Sequence, residues 1–383
     1  MCHLEVGLIA GGWSPGVARA HLEPLLPATH TTRCLERCLT QFQLLGFFVT
    51  CCPWVFVFVD SNFLEAWING GPVSLLYGWV IAMAGTALVT LSLAEVASAC
   101  PNIGGLYYYS ARLAPGEYKG VAGFMTAWCN ICGVMTSLAI LVVQLTRLFA
   151  NMRYAITYVA VEGTGTGQLT TSHELFYMSM IMLLAMGILA SAPSRAMAVY
   201  LTFAMFFSIV CFFSVPITIL SLAPSHSTAD FVFNGWEQHS ADTGVHSRGF
   251  AFMLASLSAI SALTGWDTTI YMTEECLRPT YTVPTALRRG FLWVAMCGGL
   301  SLITILFSIQ DPVNLLSNSS VFSGCQPVSQ VLWDVTQARL ESGSASVVFL
   351  ALEAMGLFLM CLFLVIGASR KLYAMSRCVV EPG

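Results

Sequence analysis

Long apolar runs, separated by short polar stretches, dominate the chain from about residue 44 onward. Each run is a candidate membrane span, because about 20 apolar residues suffice to cross ~30 Å of hydrocarbon. The eight runs lie at about 44–59, 73–94, 121–149, 174–192, 196–222, 250–272, 290–309 and 345–366. The pattern predicts an all-α integral membrane domain over residues 41–377, between a tail of residues 1–40 and a short tail of residues 378–383.

The composition fits a membrane protein and narrows the classes of function. Hydrophobic residues make up 56% of the 383 residues and charged residues only 9%, whereas soluble domains carry roughly a quarter charged residues. The formal net charge of −4 argues against a nucleic-acid partner. All seven His fall in predicted loops or the N-terminal tail, and no metalloprotease, serine-hydrolase or phosphate-loop motif occurs. The sequence therefore predicts no enzyme activity, no metal and no cofactor.

The basic residues predict the orientation of the chain, because Lys and Arg are retained in the cytoplasm. If the N-terminus is cytoplasmic and each run crosses once, twelve basic residues lie inside and four outside. The four outer residues are Arg147, Arg153, Arg248 and Arg339. Both termini are therefore predicted to be cytoplasmic. Asn318 begins an Asn-Ser-Ser sequon in a predicted outer loop, which makes it a weak candidate for glycosylation.

Two carboxylates at predicted membrane depth are candidates for a functional role, because ionisable residues inside spans are costly. Asp267 lies in the sixth run and Glu353 in the eighth. Each has a structural alternative: Asp267 caps a broken helix, and a protonated Glu353 bonds a neighbouring helix. As the carboxylates at depth, both are candidates for carrying a coupling proton.

The first and sixth runs each contain a helix-breaking element. Pro53 lies within the first run and removes a helical hydrogen bond there. The sixth run carries the polar segment SALTGWDTTIYMTEE at 261–275. Interrupted spans at corresponding positions of two halves indicate an inverted-repeat transporter with its substrate at the midplane. The free N–H groups of one half-helix end suit a carboxylate, and the free carbonyls of another suit an ammonium group.

Several motifs in register resemble the amino acid–polyamine–organocation (APC) permease superfamily, and they are most similar to its fungal amino acid, GABA and choline permeases. They are NGGPVSLLYGW (69–79), LSLAEVASACPNIGGLYYYSARLAP (91–115), AWCNICG (127–133), GWDTTIYMTEE (265–275), VPTALRRG (283–290) and SRKLYAMSR (369–377). The resemblance implies a five-plus-five inverted-repeat fold and secondary active transport of amino acids or related amines. It further implies alternating access, coupling to protons or exchange, and residence in the plasma or vacuolar membrane.

The resemblance also implies a substrate pocket formed by the breaks in spans one and six and lined by spans three and eight. Trp54 matches an aromatic position of the first break, and Asn130 matches the third-span motif. Gly265, Trp266 and Asp267 match a glycine–aromatic–aspartate signature of span six. The predicted substrate contacts are Cys52, Trp54, Asn130, Thr264, Gly265, Trp266 and Asp267. The position after Trp54 departs from the pattern, since it is Val55 where the family has an acidic residue.

Members of this superfamily usually have twelve spans, whereas the pattern here ends after the eighth. The prediction is therefore a fold that lacks its C-terminal spans. A truncated remnant that does not transport, or a nutrient sensor of the same fold, is the alternative function. Amino acids, GABA and choline remain alternative substrates. Assembly into an oligomer is left open.

Overall fold

The structure is a computed structural model that describes residues 36–51, 60–160, 171–239, 243–312, 315, 327–340 and 344–380. The secondary structure of these ranges is helical apart from two isolated β-bridges. The α-helices are α1 (Gln41–Cys51), α2 (Asp60–Ile68), α3 (Gly71–Ala99), α4 (Gly105–Leu113), α5 (Lys119–Ala160), α6 (Ser172–Ala190), α7 (Ser194–Leu222), α8 (Ala229–Asn234), α9 (Arg248–Ala262), α10 (Pro279–Ser308), α11 (Pro327–Leu340) and α12 (Ser344–Val380). Two 3₁₀ helices are Gly116–Tyr118 and Trp266–Glu275.

Seven helical segments of the described chain are long and apolar enough to cross a membrane. They are α3, α5 with the 3₁₀ turn before it, α6, α7, α9 with the 3₁₀ helix after it, α10 and α12. The shorter α1 is an apolar helix of 11 residues, and the rest of the first predicted run, with Pro53, lies outside the described residues. The predicted all-α membrane class is confirmed, and the chain is a multi-pass membrane protein.

Two helices extend well beyond the apolar runs that predicted them. α5 reaches Ala160, where the run ended near 149, and α12 reaches Val380, where the run ended near 366. An apolar run shows only the part of a helix that meets lipid. The helix itself can be longer, because its backbone hydrogen bonds continue into the polar sequence that follows. The extension of α12 places Arg370 and Lys371 on a helix rather than in a loop.

The helices pack into a bundle. We call its two opposite ends end A and end B. End A contains the start of α1, which is bound to the chain after the 3₁₀ helix: the amides of Cys38 and Leu39 donate to the carbonyl of Glu275 at 3.0 and 2.9 Å. End B contains the bridge between Asn69 and Gln238. Successive spans run alternately from one end to the other. Basic residues cluster at end A, which is the end that the basic-residue bias predicts to be cytoplasmic.

Glycine lets the helices of the core approach closely. A Cβ at Gly298 of α10 would lie 2.3 Å from the ring of Trp79 on α3, whose indole N–H donates to the carbonyl of Ala295 at 3.3 Å. A Cβ at Gly290 would lie 2.4 Å from the ring of Phe48 on α1. Small residues at such crossings permit the backbone proximity that packs helices in lipid. α10 thereby fixes the positions of α1 and α3 around the broken sixth span.

Candidate functional site

The sixth span is broken at Gly265. α9 ends at Ala262, and the 3₁₀ helix begins at Trp266. Gly265 has a φ of 92°, which L side chains rarely adopt, and a Cβ there would lie 2.8 Å from the backbone carbonyl oxygen of Cys51. Only glycine fits both conditions. The break in span six therefore directly contacts span one at the last described residue of α1.

Threonines flank this break, as the sequence predicts, but they differ in bonding. The Thr264 hydroxyl donates to the carbonyl of Ser261 at 2.6 Å and so satisfies one backbone group at the end of α9. Thr268 is fully buried, and its hydroxyl has no hydrogen-bond partner among the described residues. The backbone amide of Thr268 donates to the carbonyl of Gly265 at 3.2 Å, which starts the 3₁₀ helix. Ten residues is long for this helix type, and long 3₁₀ stretches often mark functional sites.

A cavity of about 350 Å³ lies beside the break. Its wall is made by α1, α2, α5, α9, the break itself and α12. The lining residues include Cys51, Asn62, Asn130, Ser137, Thr264, Gly265, Asp267, Met360 and Leu364. Spans one, three, six and eight all contribute, which are the spans that the resemblance implies. In α9 and α12 the lining residues lie on the end-B side of Asp267 and Lys371, so Asp267 lies at the end-A floor of the cavity.

Asp267 is held by two donors from distant helices. Lys371 Nζ of α12 lies 2.9 Å from Asp267 Oδ2, and Asn130 Nδ2 of α5 donates to the same oxygen at 2.8 Å. The Lys371 side chain is 2% exposed and that of Asp267 is 15% exposed. The sequence pattern did not predict Lys371 as a site residue. It stood in a predicted cytoplasmic loop, and the ion pair depends on the helical extension of α12.

Tyr271 packs against Asn130 and Lys371, the two residues that donate to Asp267. Its hydroxyl lies 3.5 Å from Asn130 Oδ1, and Lys371 Nζ lies 4.8 Å from the centroid of its ring. Gly105 of α4, at φ 51°, passes so close to the ring that a Cβ would lie 2.9 Å away. We call Asn130, Asp267, Tyr271 and Lys371 the Asp267 cluster. It separates the cavity from end A.

α4 is tethered beneath the cluster at end A. The Tyr109 hydroxyl donates to the carbonyl of Cys100 at 3.1 Å. Burial raises the pKa of Tyr109 above its ordinary value, so the phenol remains a protonated donor. The tether keeps the positive-φ turn at Gly105 against Tyr271.

A second ion pair joins the same two elements nearer to end A. Arg370 Nε donates to Glu275 Oε1 at 2.7 Å, and the side chain of Glu275 is 1% exposed. The neighbouring cations Arg370 and Lys371 thus bind the last and the second residue of one 3₁₀ helix. α12 is fixed to both ends of the broken segment.

The remaining predicted site residues are not found in the wall of the described cavity. Trp266 is 8% exposed and is not part of the cavity wall, so the predicted pocket aromatic lies in the packed core. The assignment of spans does not show which way a side chain faces. Cys52, Trp54 and Asn318 lie outside the described residues.

Glu353 lies apart from the Asp267 cavity. It is 5% exposed in the middle of α12 and lines a separate, mostly apolar cavity of about 30 Å³. Thr50 of α1 and Ser208 of α7 line the same space. A cavity of this size holds about one or two waters. The two membrane-depth carboxylates therefore line different cavities, although Met360 of α12 belongs to the walls of both.

Comparison with known proteins bears on this architecture. Residues 39–382 match the amino acid permease family. The chain belongs to the amino acid permease family. The match covers the Asp267 cluster and every described span.

Individual relatives in plants and yeast agree with this assignment. The amino-acid permease BAT1 homolog of Oryza sativa subsp. japonica is 28% identical over 318 residues, which cover 80% of this chain and 58% of the relative. The amino-acid permease BAT1 of Arabidopsis thaliana is 28% identical, over 80% of this chain and 59% of its own. The GABA-specific permease of Saccharomyces cerevisiae is 23% identical, over 81% and 52%. The chain thus spans between half and three fifths of the length of these relatives, all of which are named permeases.

Proposed function

We propose that this permease-family chain carries amino acids or related amines across a membrane by secondary active transport, with alternating access to the Asp267 cavity. The contact between Gly265 and the carbonyl of Cys51 is the observation that carries the proposal. It brings the break of span six against span one and creates a cavity with a carboxylate at its floor. The cavity of about 350 Å³ lies within the ~300–1,000 Å³ typical of small-molecule sites.

The groups around the cavity suit a zwitterion. Asp267 and the nearby carbonyl of Cys51 attract an ammonium group. The N-terminal end of the 3₁₀ helix, which begins at Trp266, suits a carboxylate because it carries partial positive charge. Among the described residues, the cavity wall contains no aromatic side chain. Amino acids, GABA and choline stay alternative substrates of this cavity.

Reconstitution of the purified chain into liposomes tests the proposal. We expect saturable binding of a labelled amino acid or GABA in detergent, and saturable uptake into the liposomes. Binding without any flux supports the alternative of a sensor or a remnant that does not transport. The absence of both binding and flux across a panel of amino acids and amines contradicts the proposed function.

We assign the coupling proton to Glu353, with Asp267 as the group that faces the substrate. Glu353→Gln preserves the size of the side chain but removes the exchangeable acid. Accumulation driven by a pH gradient is expected to fall to background in this variant, while exchange of internal for external substrate continues. Glu95→Gln at end A, where Glu95 is half-exposed, is the matched control. Accumulation by Glu353→Gln equal to that of the control removes Glu353 from the coupling step.

The orientation is part of the same proposal. The basic residues of end A favour a cytoplasmic end A, with both termini inside, in the plasma or vacuolar membrane. N-terminal tags that antibodies reach without permeabilising the membrane contradict this orientation. The glycosylation of Asn318 follows only if end B is outside or lumenal.

A further inference from the structure

We propose that Lys371 is an internal competitor of the substrate for Asp267, and that a primary ammonium group on the substrate must displace it before end A opens. The inference rests on the proposed function, because it requires that the substrate reaches Asp267. Under this proposal, only substrates whose ammonium group carries N–H donors can displace Lys371. It also links binding at the cavity floor to the contact between α12 and the 3₁₀ helix.

The Asp267 carboxylate faces the cavity on one side and Lys371 on the other. Lys371 itself does not face the cavity. Asp267 is part of the cavity wall, with 15% of its side chain exposed. Lys371 is 2% exposed and does not line the cavity. One carboxylate thus faces both a ligand space and a buried ammonium. The ammonium group of a substrate in the cavity therefore approaches Asp267 while Asp267 is already paired with Lys371.

Simultaneous occupation of Asp267 by both amines is unfavourable. A substrate ammonium at Asp267 would lie close to the buried ammonium of Lys371, and like charges repel strongly where little water screens them. The Asn130 amide already donates to Oδ2 and adds no negative charge. Substrate and Lys371 therefore exclude each other at Asp267. A quaternary ammonium lacks the N–H donor that would replace the 2.9 Å hydrogen bond from Lys371.

A displaced Lys371 has to move, because a buried charge without its partner is costly. Tyr271 lies against its ammonium group, and the cavity side is taken by the substrate. The remaining route leads along α12 toward end A, where Arg370 is 17% exposed and paired with Glu275. Movement of Lys371 toward water strains this second pair. The substrate thereby loosens α12 from both ends of the 3₁₀ helix.

Cys276 is a natural reporter for this loosening. It directly follows the 3₁₀ helix, is fully buried, and forms a bridge with Leu39. We expect GABA or an amino acid to increase the rate of maleimide labelling at Cys276 several-fold in the unaltered chain, read by peptide mass spectrometry. Choline is expected to leave the rate unchanged. A rate that GABA does not alter, at concentrations that saturate binding, overturns the proposal without involving any variant.

Binding to Lys371→Met gives the second measurement. Apparent affinity is reduced by the fraction of molecules in the competent state, so removal of a competitor present in roughly nine-tenths of molecules tightens GABA binding roughly tenfold. In Lys371→Met we also expect maleimide to label Cys276 rapidly in the absence of substrate. Lys371→Arg should restore slow labelling, and Arg195→Met, which removes the exposed partner of Glu36 at the same end, should match the unaltered chain.

The outcomes separate the two proposals. Normal GABA binding with equal affinity in the unaltered chain and Lys371→Met overturns the role of Lys371 and leaves the proposed function intact. Absence of binding of every amine to the unaltered chain overturns both. Tight choline binding that accelerates Cys276 labelling also overturns the inference, because it shows that N–H donors are not required.

Discussion

Asp267→Ala is expected to abolish substrate binding and to lower the free energy of unfolding by about 3–5 kcal/mol. The large destabilisation does not come from the loss of one contact. It arises because Lys371, which is 2% exposed, loses its counter-ion, so that its charge either stays unpaired in the core or moves toward end A and disrupts the packing there. Unfolding of the purified chain in mixed micelles of detergent and SDS measures the change. Equilibrium binding of labelled GABA or amino acid measures the functional loss.

The double variant Asp267→Ala, Lys371→Met separates stability from function. Removal of both charges leaves no uncompensated ion, and replacing a buried pair by apolar groups is often nearly neutral. We expect most of the stability to return while binding stays absent. Glu36→Ala, which breaks the exposed pair with Arg195, is the control and should leave stability unchanged. Equal destabilisation in the single and double variants would show that Lys371 does not depend on Asp267.

Gly265→Ala is the second change with a large expected effect. A non-glycine residue at φ 92° costs about 1–3 kcal/mol, and the new Cβ would lie 2.8 Å from the carbonyl oxygen of Cys51. That neighbour is backbone, so it cannot rotate away. The end of α1 at Cys51 and the break of span six must separate, and the cavity beside them changes shape. We expect loss of saturable uptake together with a lower free energy of unfolding.

Gly187→Ala is the matched control for this substitution. Gly187 lies inside α6, and a Cβ there meets nothing within 4 Å. Alanine in a helix interior is favoured over glycine by about 1 kcal/mol, so this variant should keep or gain stability and retain uptake. If Gly265→Ala behaves like Gly187→Ala, then the left-handed turn is not needed for the site.

The break at Gly265 explains why part of the site was visible in the sequence. Thr264, Gly265 and Asp267 interrupt an apolar run, and polar groups at membrane depth are rare enough to stand out. Asn130 was found through the family motif that contains it. All four line one cavity. Their roles toward a substrate stay predictions until binding is measured.

The same reasoning did not predict which way side chains face or how far apart they lie. Trp266 was predicted in the pocket, but it is packed in the core and does not line the described cavity. Glu353 was grouped with Asp267 by depth alone, yet the two carboxylates line separate cavities. Depth along a span is a one-dimensional property. Which side of a helix a residue faces depends on its neighbours.

The amino-acid sequence by itself determined the membrane class, the order of the spans, the bias of basic residues toward one end and the position of the break at Gly265. These features follow from local composition and from backbone restrictions that act within a few residues. Only the tertiary structure decided that Lys371 pairs with Asp267. The two residues are 104 positions apart, and their contact requires both a helix that continues past its apolar run and a 3₁₀ segment that packs against it. Burial of Lys371 then makes its charge depend on Asp267, because little water reaches it.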